Sequence, residues 1–178
     1  MSCDVKTGVL LANVGSPAEP TPSALKTYLR KFLSDVRIID YPRWLWRPIL
    51  ELILLTRPAK SAKAYGEIWT KEGSPLVVYS ERVRAEVSKN LGAGFQVELG
   101  LAYTSHDIAH AMQKMEAAGC RRIIVLPLFP QFSTTTTAAV YDEACFAALG
   151  RLQTNSKVRK KFVPALRMVE PFYAHPAY

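Results

Sequence analysis

Cysteine is scarce in this chain, whose 178 residues include three, at Cys3, Cys120 and Cys145. They are widely spaced and form no C-x-x-C pair, so the sequence does not predict a structural zinc site. An odd number of cysteines without a framework of pairs is typical of a reducing compartment. We therefore expect a cytoplasmic protein rather than a secreted protein stabilised by disulfides.

Long apolar runs are also missing. The most apolar segment, WLWRPILELILL at residues 44–55, is interrupted by Arg47, Pro48 and Glu51. It is shorter than the roughly 20 residues that cross a bilayer. The first eight residues, MSCDVKTG, are too polar to resemble a secretory signal. The composition, 49% hydrophobic and 21% charged, is ordinary for a folded domain, and the length suits one domain over residues 1–178.

The formal net charge of +8 makes the chain moderately basic. Such a charge favours an anionic ligand or contact with a phospholipid surface. The basic residues do not form a stripe interleaved with aromatic residues, and no nucleic-acid-binding motif is present. Nucleic acid is therefore not expected as a partner.

Apolar periodicity and turn residues predict alternating strands and helices along the whole chain. Strands are predicted over residues 7–13, 95–103, 122–130 and 161–169. Helices are predicted over residues 23–33, 44–55, 61–69, 75–90, 107–118 and from about 133 to 152, with a polar connection over 155–161. This order predicts an α/β fold: a three-layer open sheet, mainly parallel, of about four strands with helices on both faces.

The segment RIIVLPLFPQFSTTTTAAVYD at residues 122–142 is the most informative part of the sequence. Its apolar strand ends at two prolines, and five consecutive hydroxyl residues at 133–137 then lead into a helix. A loop between a strand and a helix start is the usual ligand site of an open α/β sheet, and helix N–H groups favour anions. The hydroxyls, flanked by Phe129, Gln131 and Phe132, indicate a wall for a large, flat, partly charged ligand. The alternative is a capped helix with spare surface threonines.

Four collinear segments together resemble the ferrochelatases, which insert iron into protoporphyrin to make haem. They are GVLLANVGSP at residues 8–17, YLRKFLSD at 28–35, the pair TRP at 56–58 with EGSPL at 72–76, and LPLFPQFSTTT at 126–136. A fifth segment, GLAYTSH at residues 100–106, fits more loosely because many members of the family have an arginine where Ala102 stands.

The resemblance covers the amino-terminal half of that family. Ferrochelatases have two similar α/β lobes with the porphyrin between them, so the resemblance implies that this chain supplies the first lobe. It implies protoporphyrin IX and ferrous iron as the substrates. In the family the second lobe contributes a histidine and an acidic residue to catalysis, so no catalytic residue is expected in this chain, which we expect to be inactive alone.

The resemblance also implies which residues contact the porphyrin. They are Arg57, Tyr65, Ser74, Phe129, Gln131, Ser133, Thr135 and Val14. An arginine suits a propionate carboxylate, while tyrosine and serine hydroxyls add neutral hydrogen bonds. Val14 can pack on the ring but has no donor atom for iron. The alternative roles are a surface charge for Arg57, core filling for Tyr65 and a helix N-cap for Ser74.

Metal ligands are sparse in the sequence. His106 and His110 are four residues apart and could share a helix face, but no carboxylate completes an H-E-x-x-H motif. We interpret them as a solvated helix start, and His175 as part of the terminal segment, and predict no metal site. Thr134 stands where animal members of the family carry a cysteine ligand of an iron–sulfur cluster. The resemblance therefore implies no such ligand here, and no resident cofactor is expected.

Further hypotheses remain open at this point. A half-size chelatase could act as a homodimer, although its histidines would be poorly placed, and a non-enzymatic lobe could bind tetrapyrroles. The resemblance implies that residues 44–55 form an apolar lip that could touch a membrane surface; a helix buried within the lobe is the alternative. The sequence does not predict an oligomeric state. Pro176 resembles the start of a new helix, which predicts a truncated protein, with a packed C-terminal tail as the alternative.

Overall fold

Four parallel strands form the sheet in the computed structural model, which describes residues 6–150 and 163–178. They are β1 (Thr7–Val14), β2 (Phe95–Ala102), β3 (Arg122–Pro127) and β4 (Ala165–Met168), and their order in the sheet is β2-β1-β3-β4. Because all four run in the same direction, their last residues meet along one side of the sheet, here called the carboxyl edge. The chain turns from one side of β1 to the other between β2 and β3, so the carboxyl edge beside β1 is where an open α/β sheet binds ligands.

Five α-helices surround the sheet in the described residues. They are α1 (Pro22–Leu33), α2 (Arg43–Ile68), α3 (Pro75–Leu91), α4 (Ile108–Ala117) and α5 (Ala139–Leu149), the last preceded by a π-helical turn at Thr134–Ala138. Alternate residues of β1 point to opposite sides, as strand geometry requires. Leu10 and Ala12 belong to the core cluster with α4 and α5, whereas Val9 and Leu11 cluster with Val87 of α3. The predicted parallel α/β sheet with helices on both faces is therefore confirmed.

Helix α2 corrects the sequence prediction of two short helices over residues 44–55 and 61–69. It is one helix of 26 residues that contains Pro48 and Pro58. Each proline removes one backbone hydrogen bond. A buried stripe with a spacing of four residues runs past both prolines and packs the helix along its length. Its members are Trp46, Leu50, Leu54, Pro58 and Ala62.

Helix α2 packs against α1 and leaves its opposite side exposed. The Trp46 indole Nε1 donates a hydrogen bond of 2.7 Å to the Leu33 carbonyl oxygen at the end of α1. On the outer side, Trp44, Leu52 and Leu55 are 79%, 67% and 71% exposed. Residues 44–55, predicted as an apolar lip, are thus buried on one side of the helix and exposed to solvent on the other. Among the described residues, no helix combines the length and the apolar character needed to cross a membrane.

The carboxyl-terminal part differs in detail from the predictions. Helix α5 ends at Leu149, where Gly150 adopts φ +73°, and the last two residues of the helix predicted to about residue 152 lie outside the described part of the chain. Strand β4 has four residues, fewer than predicted, and the connection predicted over residues 155–161 lies outside the described part of the chain. Residues 173–174 and 176–177 form turns, and the helix start predicted at Pro176 stays a prediction. The backbone N–H groups of Phe172 and Tyr173 both donate to the Pro130 carbonyl oxygen, at 3.0 and 2.9 Å.

Candidate functional site

The loop after β1 is pressed against the end of β2. A Cβ atom at Gly15 would lie 2.2 Å from the Ala102 carbonyl oxygen and 2.2 Å from Thr104 Cγ2, so this approach requires glycine. The Tyr28 hydroxyl of α1 donates a buried hydrogen bond of 2.8 Å to the Gly15 carbonyl oxygen. Burial raises the pKa of Tyr28, so this phenol stays a neutral donor. These contacts fix the start of the candidate site at the carboxyl edge.

Ser74 stands at the start of α3, beside this loop. A tight turn precedes it, in which Thr70 and Gly73 exchange backbone hydrogen bonds of 3.0 and 3.1 Å and Gly73 adopts φ +112°. Ser74 occupies the N-cap position, but its side chain makes no capping hydrogen bond. It is 7% exposed. Helix α3 is therefore not capped by the Ser74 hydroxyl, contrary to the capping alternative.

A cavity of about 570 Å³ opens between the β1–α1 loop, the start of α3 and the β2–α4 loop. We call it the carboxyl-edge cavity. Polar side chains are prominent in its lining: Ser16, Thr27, Tyr28, Lys31, Glu72, Ser74, Tyr103, Thr104, Ser105 and His106. The Ser16 hydroxyl oxygen is buried and has no hydrogen-bond partner. A cavity of this volume with several polar groups has the size and character of a small-molecule site.

Two of the predicted residues lie on α2: Tyr65 is near this cavity, and Arg57 is nearer the start of the helix. The Tyr65 ring centroid lies 6.4 Å from that of Trp69, which lines the cavity. Burial raises the pKa of Tyr65, and Tyr65 in turn contributes to the raised pKa of Tyr28. Arg57 is exposed on the same helix, eight residues and therefore about 12 Å earlier along the axis. Of the eight predicted residues, Ser74 is the one that lines the carboxyl-edge cavity.

Val14, Phe129 and Gln131 lie at the ends of neighbouring strands. Val14 is the last residue of β1, is half-buried and pairs with Ala102 of β2. Phe129 follows β3 and packs partly buried against the core cluster beneath α4 and α5, while Gln131 is exposed. These residues therefore share the carboxyl edge, but the Phe129 ring also fills the core.

The five hydroxyl residues form the π-helical turn and its cap. The Ser133 hydroxyl oxygen accepts a hydrogen bond of 3.3 Å from the Thr135 backbone N–H and lies 2.9 Å from the Thr135 hydroxyl. The buried Thr137 hydroxyl donates to the Gln131 carbonyl oxygen at 3.5 Å. Part of the run thus caps and stabilises the turn, as the capping alternative predicted. Thr134 and Thr135 remain exposed at the surface.

A second cavity, of about 920 Å³, lies between the end of α1, the start of α2 and helices α4 and α5. Glu143 lines it, and burial, followed by the charges of Asp107 and Asp35, raises the pKa of Glu143 to about 7 despite the opposing charge of Lys31. Its Oε2 atom is buried without a hydrogen-bond partner. The sequence prediction missed this residue, although a carboxylate inside the apolar run AVYDEACFAAL was a visible signal.

Around Glu143, charged side chains join the α1–α2 connection to the rest of the fold. The Tyr103 hydroxyl donates a hydrogen bond of 2.7 Å to Asp35, and burial with the Asp35 contact raises the pKa of Tyr103. Tyr103 itself adopts φ +66°. Arg37 binds both oxygens of Asp142 on α5, at 2.7 and 3.1 Å. These contacts hold the connection that leads into α2.

The histidines do not assemble a metal centre in the described part of the structure. The rings of His106 and His110 meet edge to face with centroids 5.6 Å apart at the start of α4. Across residues 6–150 and 163–178, no group of three or more His, Cys, Asp or Glu side chains could hold a metal ion. His175 lies in the exposed terminal segment, where its Nδ1 accepts a hydrogen bond from the Ala177 backbone.

Comparison with known proteins gives a consistent result. The family model described as Ferrochelatase matches residues 6–178. The chain is 44% identical over 176 residues to Ferrochelatase 1 of Shewanella oneidensis. This alignment covers 96% of this chain and 50% of the relative. It is 45% identical over 177 residues to the ferrochelatase of Bordetella pertussis (97% of this chain, 46% of the relative) and 42% identical over 177 residues to that of Aeromonas hydrophila (97% and 52%). The chain thus spans about half the length of the curated relatives it matches.

Proposed function

The chain belongs to the ferrochelatase family, as its sequence motifs predicted, and on this premise we propose that the whole protein inserts ferrous iron into protoporphyrin IX, the last step of haem synthesis. In this proposal the chain forms the porphyrin-binding wall of the cleft. Protoporphyrin IX is the organic substrate and ferrous iron is the metal substrate. The reaction is that of a lyase acting in the haem-forming direction.

The observation that carries this proposal is the unused hydroxyl of Ser74. A serine at an N-cap ordinarily binds a backbone N–H of its own helix, and this one does not. It is buried in a cavity at the carboxyl edge, where open α/β sheets bind ligands. A serine that lines this cavity and does not cap its own helix has a hydroxyl free to donate a hydrogen bond to a ligand.

Each predicted contact has a role in this proposal. Arg57 binds a propionate carboxylate through its planar guanidinium, and Tyr65 and Ser74 donate neutral hydrogen bonds nearby. Val14 packs on the macrocycle, and Phe129 meets it with the part of its ring that the core leaves free. Gln131, Ser133 and Thr135 provide the polar wall on the side of the π-helical turn. These roles follow from residue chemistry and family membership.

Metal insertion also needs a group that accepts the pyrrole protons and one that delivers iron. Histidine and a carboxylate suit these steps. We assign neither step to a residue of this chain and expect these groups in the other half of the protein. The chain alone therefore binds porphyrin without turnover. Thr134 has a hydroxyl instead of a thiolate, so the proposal includes no iron–sulfur ligand at that position and no resident cofactor in this chain.

The exposed side of α2 has a place in the same proposal. Trp44, Leu52 and Leu55 form an apolar surface on a basic protein. Anionic phospholipids attract positive charge, and exposed apolar side chains can enter the headgroup region. We propose a cytoplasmic protein that contacts the membrane surface through residues 44–55, where a poorly soluble porphyrin can enter the cleft.

Binding and turnover test the proposed function together. The chain is titrated with protoporphyrin IX by absorbance, and ferrous iron is then added without oxygen to look for the haem spectrum. We expect saturable binding, no steady haem formation, and about tenfold weaker binding in Arg57→Ala, since a charge-assisted hydrogen bond is lost. Lys63→Ala, an exposed cation on the same helix, is the matched control. Steady turnover by the chain alone would contradict the assignment of catalysis to the other half.

A further inference from the structure

Two side chains, Lys31 and Tyr103, line both the carboxyl-edge cavity and the second cavity and so stand between them. The Tyr103 hydroxyl donates a hydrogen bond of 2.7 Å to the Asp35 carboxylate, whereas the Lys31 Nζ lies 3.4 Å from the Thr104 carbonyl oxygen. A bond of 2.7 Å to a carboxylate is strong, and a contact of 3.4 Å with a neutral carbonyl is weak. Tyr103 is therefore the fixed part of this wall, and Lys31 can leave its position at little cost.

Glu143 lies on one side of this wall, since it lines the second cavity and not the carboxyl-edge cavity. Its Oε2 atom is buried without a hydrogen-bond partner. A protonated carboxyl group tolerates such a position better than a carboxylate, because a buried charge without a donor or a counter-charge is costly. The charged and titratable groups that line the second cavity with Glu143 are Lys31, Asp35, Arg37, Arg43, Arg47, Tyr103, Asp107 and Asp142.

One of the cations in this lining is suited to neutralise Glu143. Arg37 is already bound to both oxygens of Asp142. Lys31 is the cation whose charge opposes the raised pKa of Glu143, while two neighbouring aspartates act in the other direction. The Lys31 side chain is exposed on a flexible four-carbon stem and has only the long contact described above to lose.

We propose that Glu143 and Lys31 form a proton-controlled switch between the two cavities. While Glu143 carries its proton, the Lys31 ammonium stays at the Thr104 carbonyl oxygen beside the carboxyl-edge cavity. When Glu143 releases the proton to solvent, the ammonium moves to the carboxylate in the second cavity, where a charge-assisted contact replaces the weak one. The carboxyl-edge cavity thus loses one positive charge through the ionisation of a residue outside it.

The switch is tested by NMR on the chain without porphyrin, so the outcome does not depend on the proposed function. The carboxyl carbon of Glu143, the ε-methylene of Lys31 and the amide of Ser105, which shares a peptide group with the Thr104 carbonyl, are followed from about pH 5 to 9. We expect all three signals to share one midpoint near pH 7. The Lys31 and Ser105 transitions should be absent in Glu143→Gln, which keeps the shape of the protonated side chain.

The reciprocal experiment replaces the cation. Lys31→Met should raise the midpoint of the Glu143 carboxyl carbon by about 0.5 pH units, because it removes the charge that favours the carboxylate. Lys26→Met, at an exposed position of the same helix, is the matched control and should leave this midpoint unchanged.

The contrary outcomes are distinct. If Glu143 titrates near neutral pH but the Lys31 signal does not follow it, the carboxyl group ionises without moving the ammonium and the switch is wrong. If the Lys31 and Ser105 transitions persist in Glu143→Gln, they report another group, such as His106, whose Nδ1 lies 3.2 Å from the Ser105 hydroxyl oxygen, and the switch is again wrong. A Glu143 midpoint at its ordinary 4.5 would also contradict the inference.

Discussion

Glu143 should make the stability of this protein fall as the pH rises through the weakly acidic range. Its side chain is half-buried, faces Asp35 and Asp107, and has the Lys31 ammonium as the opposing charge. Burial and the two carboxylates disfavour the ionised form, so the pKa of Glu143 rises from its ordinary 4.5 to about 7. The folded state therefore keeps a proton that the unfolded chain releases.

The sign and size of the effect follow from linkage. Below pH 4.5 the carboxyl is protonated in both states and the free energy of unfolding carries no penalty from it. Between about pH 4.5 and 7 the folded state binds more protons than the unfolded state, so stability falls with pH and then levels off. Since one pKa unit is about 1.4 kcal/mol, and some solvent screening remains at this position, we expect a total loss of about 2 to 3 kcal/mol.

The variant Glu143→Gln removes the ionisation and keeps the shape of the side chain. Urea unfolding, followed by circular dichroism at intervals from pH 4.5 to 8, gives the free energy of unfolding of both proteins. As the pH rises from 4.5 to 8, the free energy of unfolding of Glu143→Gln should increase by about 2 to 3 kcal/mol relative to that of the wild type. The control Glu67→Gln, at an exposed position of α2, should show no such increase. A difference between Glu143→Gln and wild type that stays constant within about 0.5 kcal/mol would refute the reasoning.

Three further predictions concern packing, hydrogen bonding and the exposed side of α2. Gly15→Ala should lower the free energy of unfolding, measured in urea, by roughly 1 to 3 kcal/mol, because the added Cβ would lie 2.2 Å from a backbone oxygen. Gly66→Ala, which has open space around it, should be neutral or stabilising. Equal effects of the two changes would contradict the close approach at Gly15. Tyr28→Phe should lose about 1 to 2 kcal/mol by removing the buried hydrogen bond to the loop after β1, and an unchanged midpoint would show that this bond is not stabilising. Replacing both Leu52 and Leu55 by Gln should weaken cosedimentation of the protein with vesicles that contain anionic phospholipid. The free energy of unfolding in urea should stay nearly unchanged, because both side chains are exposed. Undiminished vesicle binding would contradict membrane contact through α2.

The sheet was largely predictable from the sequence because its strands have strong local signals. Strands β1 and β3 begin at the predicted residues, 7 and 122. Their last residues lie within three residues of the predicted ends. Both are buried on two sides, so nearly every residue is apolar, which is the pattern of a parallel sheet. The helix predicted over residues 107–118 is also present, as α4 (Ile108–Ala117), with Asp107 as its N-cap.

Helix α2 shows where local rules fail. Two helices were predicted, over residues 44–55 and 61–69, whereas the structure has one helix that contains Pro48 and Pro58. Local rules disfavour proline inside a helix because each proline removes one backbone hydrogen bond. The stripe of buried residues at a spacing of four, from Trp46 to Ala62, was present in the sequence and outweighs the prolines. Tertiary packing decided the outcome, as it commonly does for helices.

The candidate site was predictable in outline only. From its position alone Ser74 could be a helix cap, and the family resemblance made it a ligand contact; the structure shows that its side chain does not cap α3. The sequence gave no signal that the Ser16 hydroxyl lacks a partner, because this depends on contacts between segments distant in sequence, whereas the signal of Glu143 was a carboxylate within an apolar run. The hydroxyl run divides between both interpretations, since Ser133 caps the turn while Thr135 remains exposed.

The central claim is that this chain forms one wall of a porphyrin cleft at the carboxyl edge of its sheet. Amide ¹H–¹⁵N spectra of the chain, recorded during titration with protoporphyrin IX, test it residue by residue. We predict that the amides of Arg57, Tyr65, Ser74 and Ser133 shift together along one saturable binding curve. Shifts confined to other surfaces, or an absence of saturable shifts at these four residues, would contradict the claim.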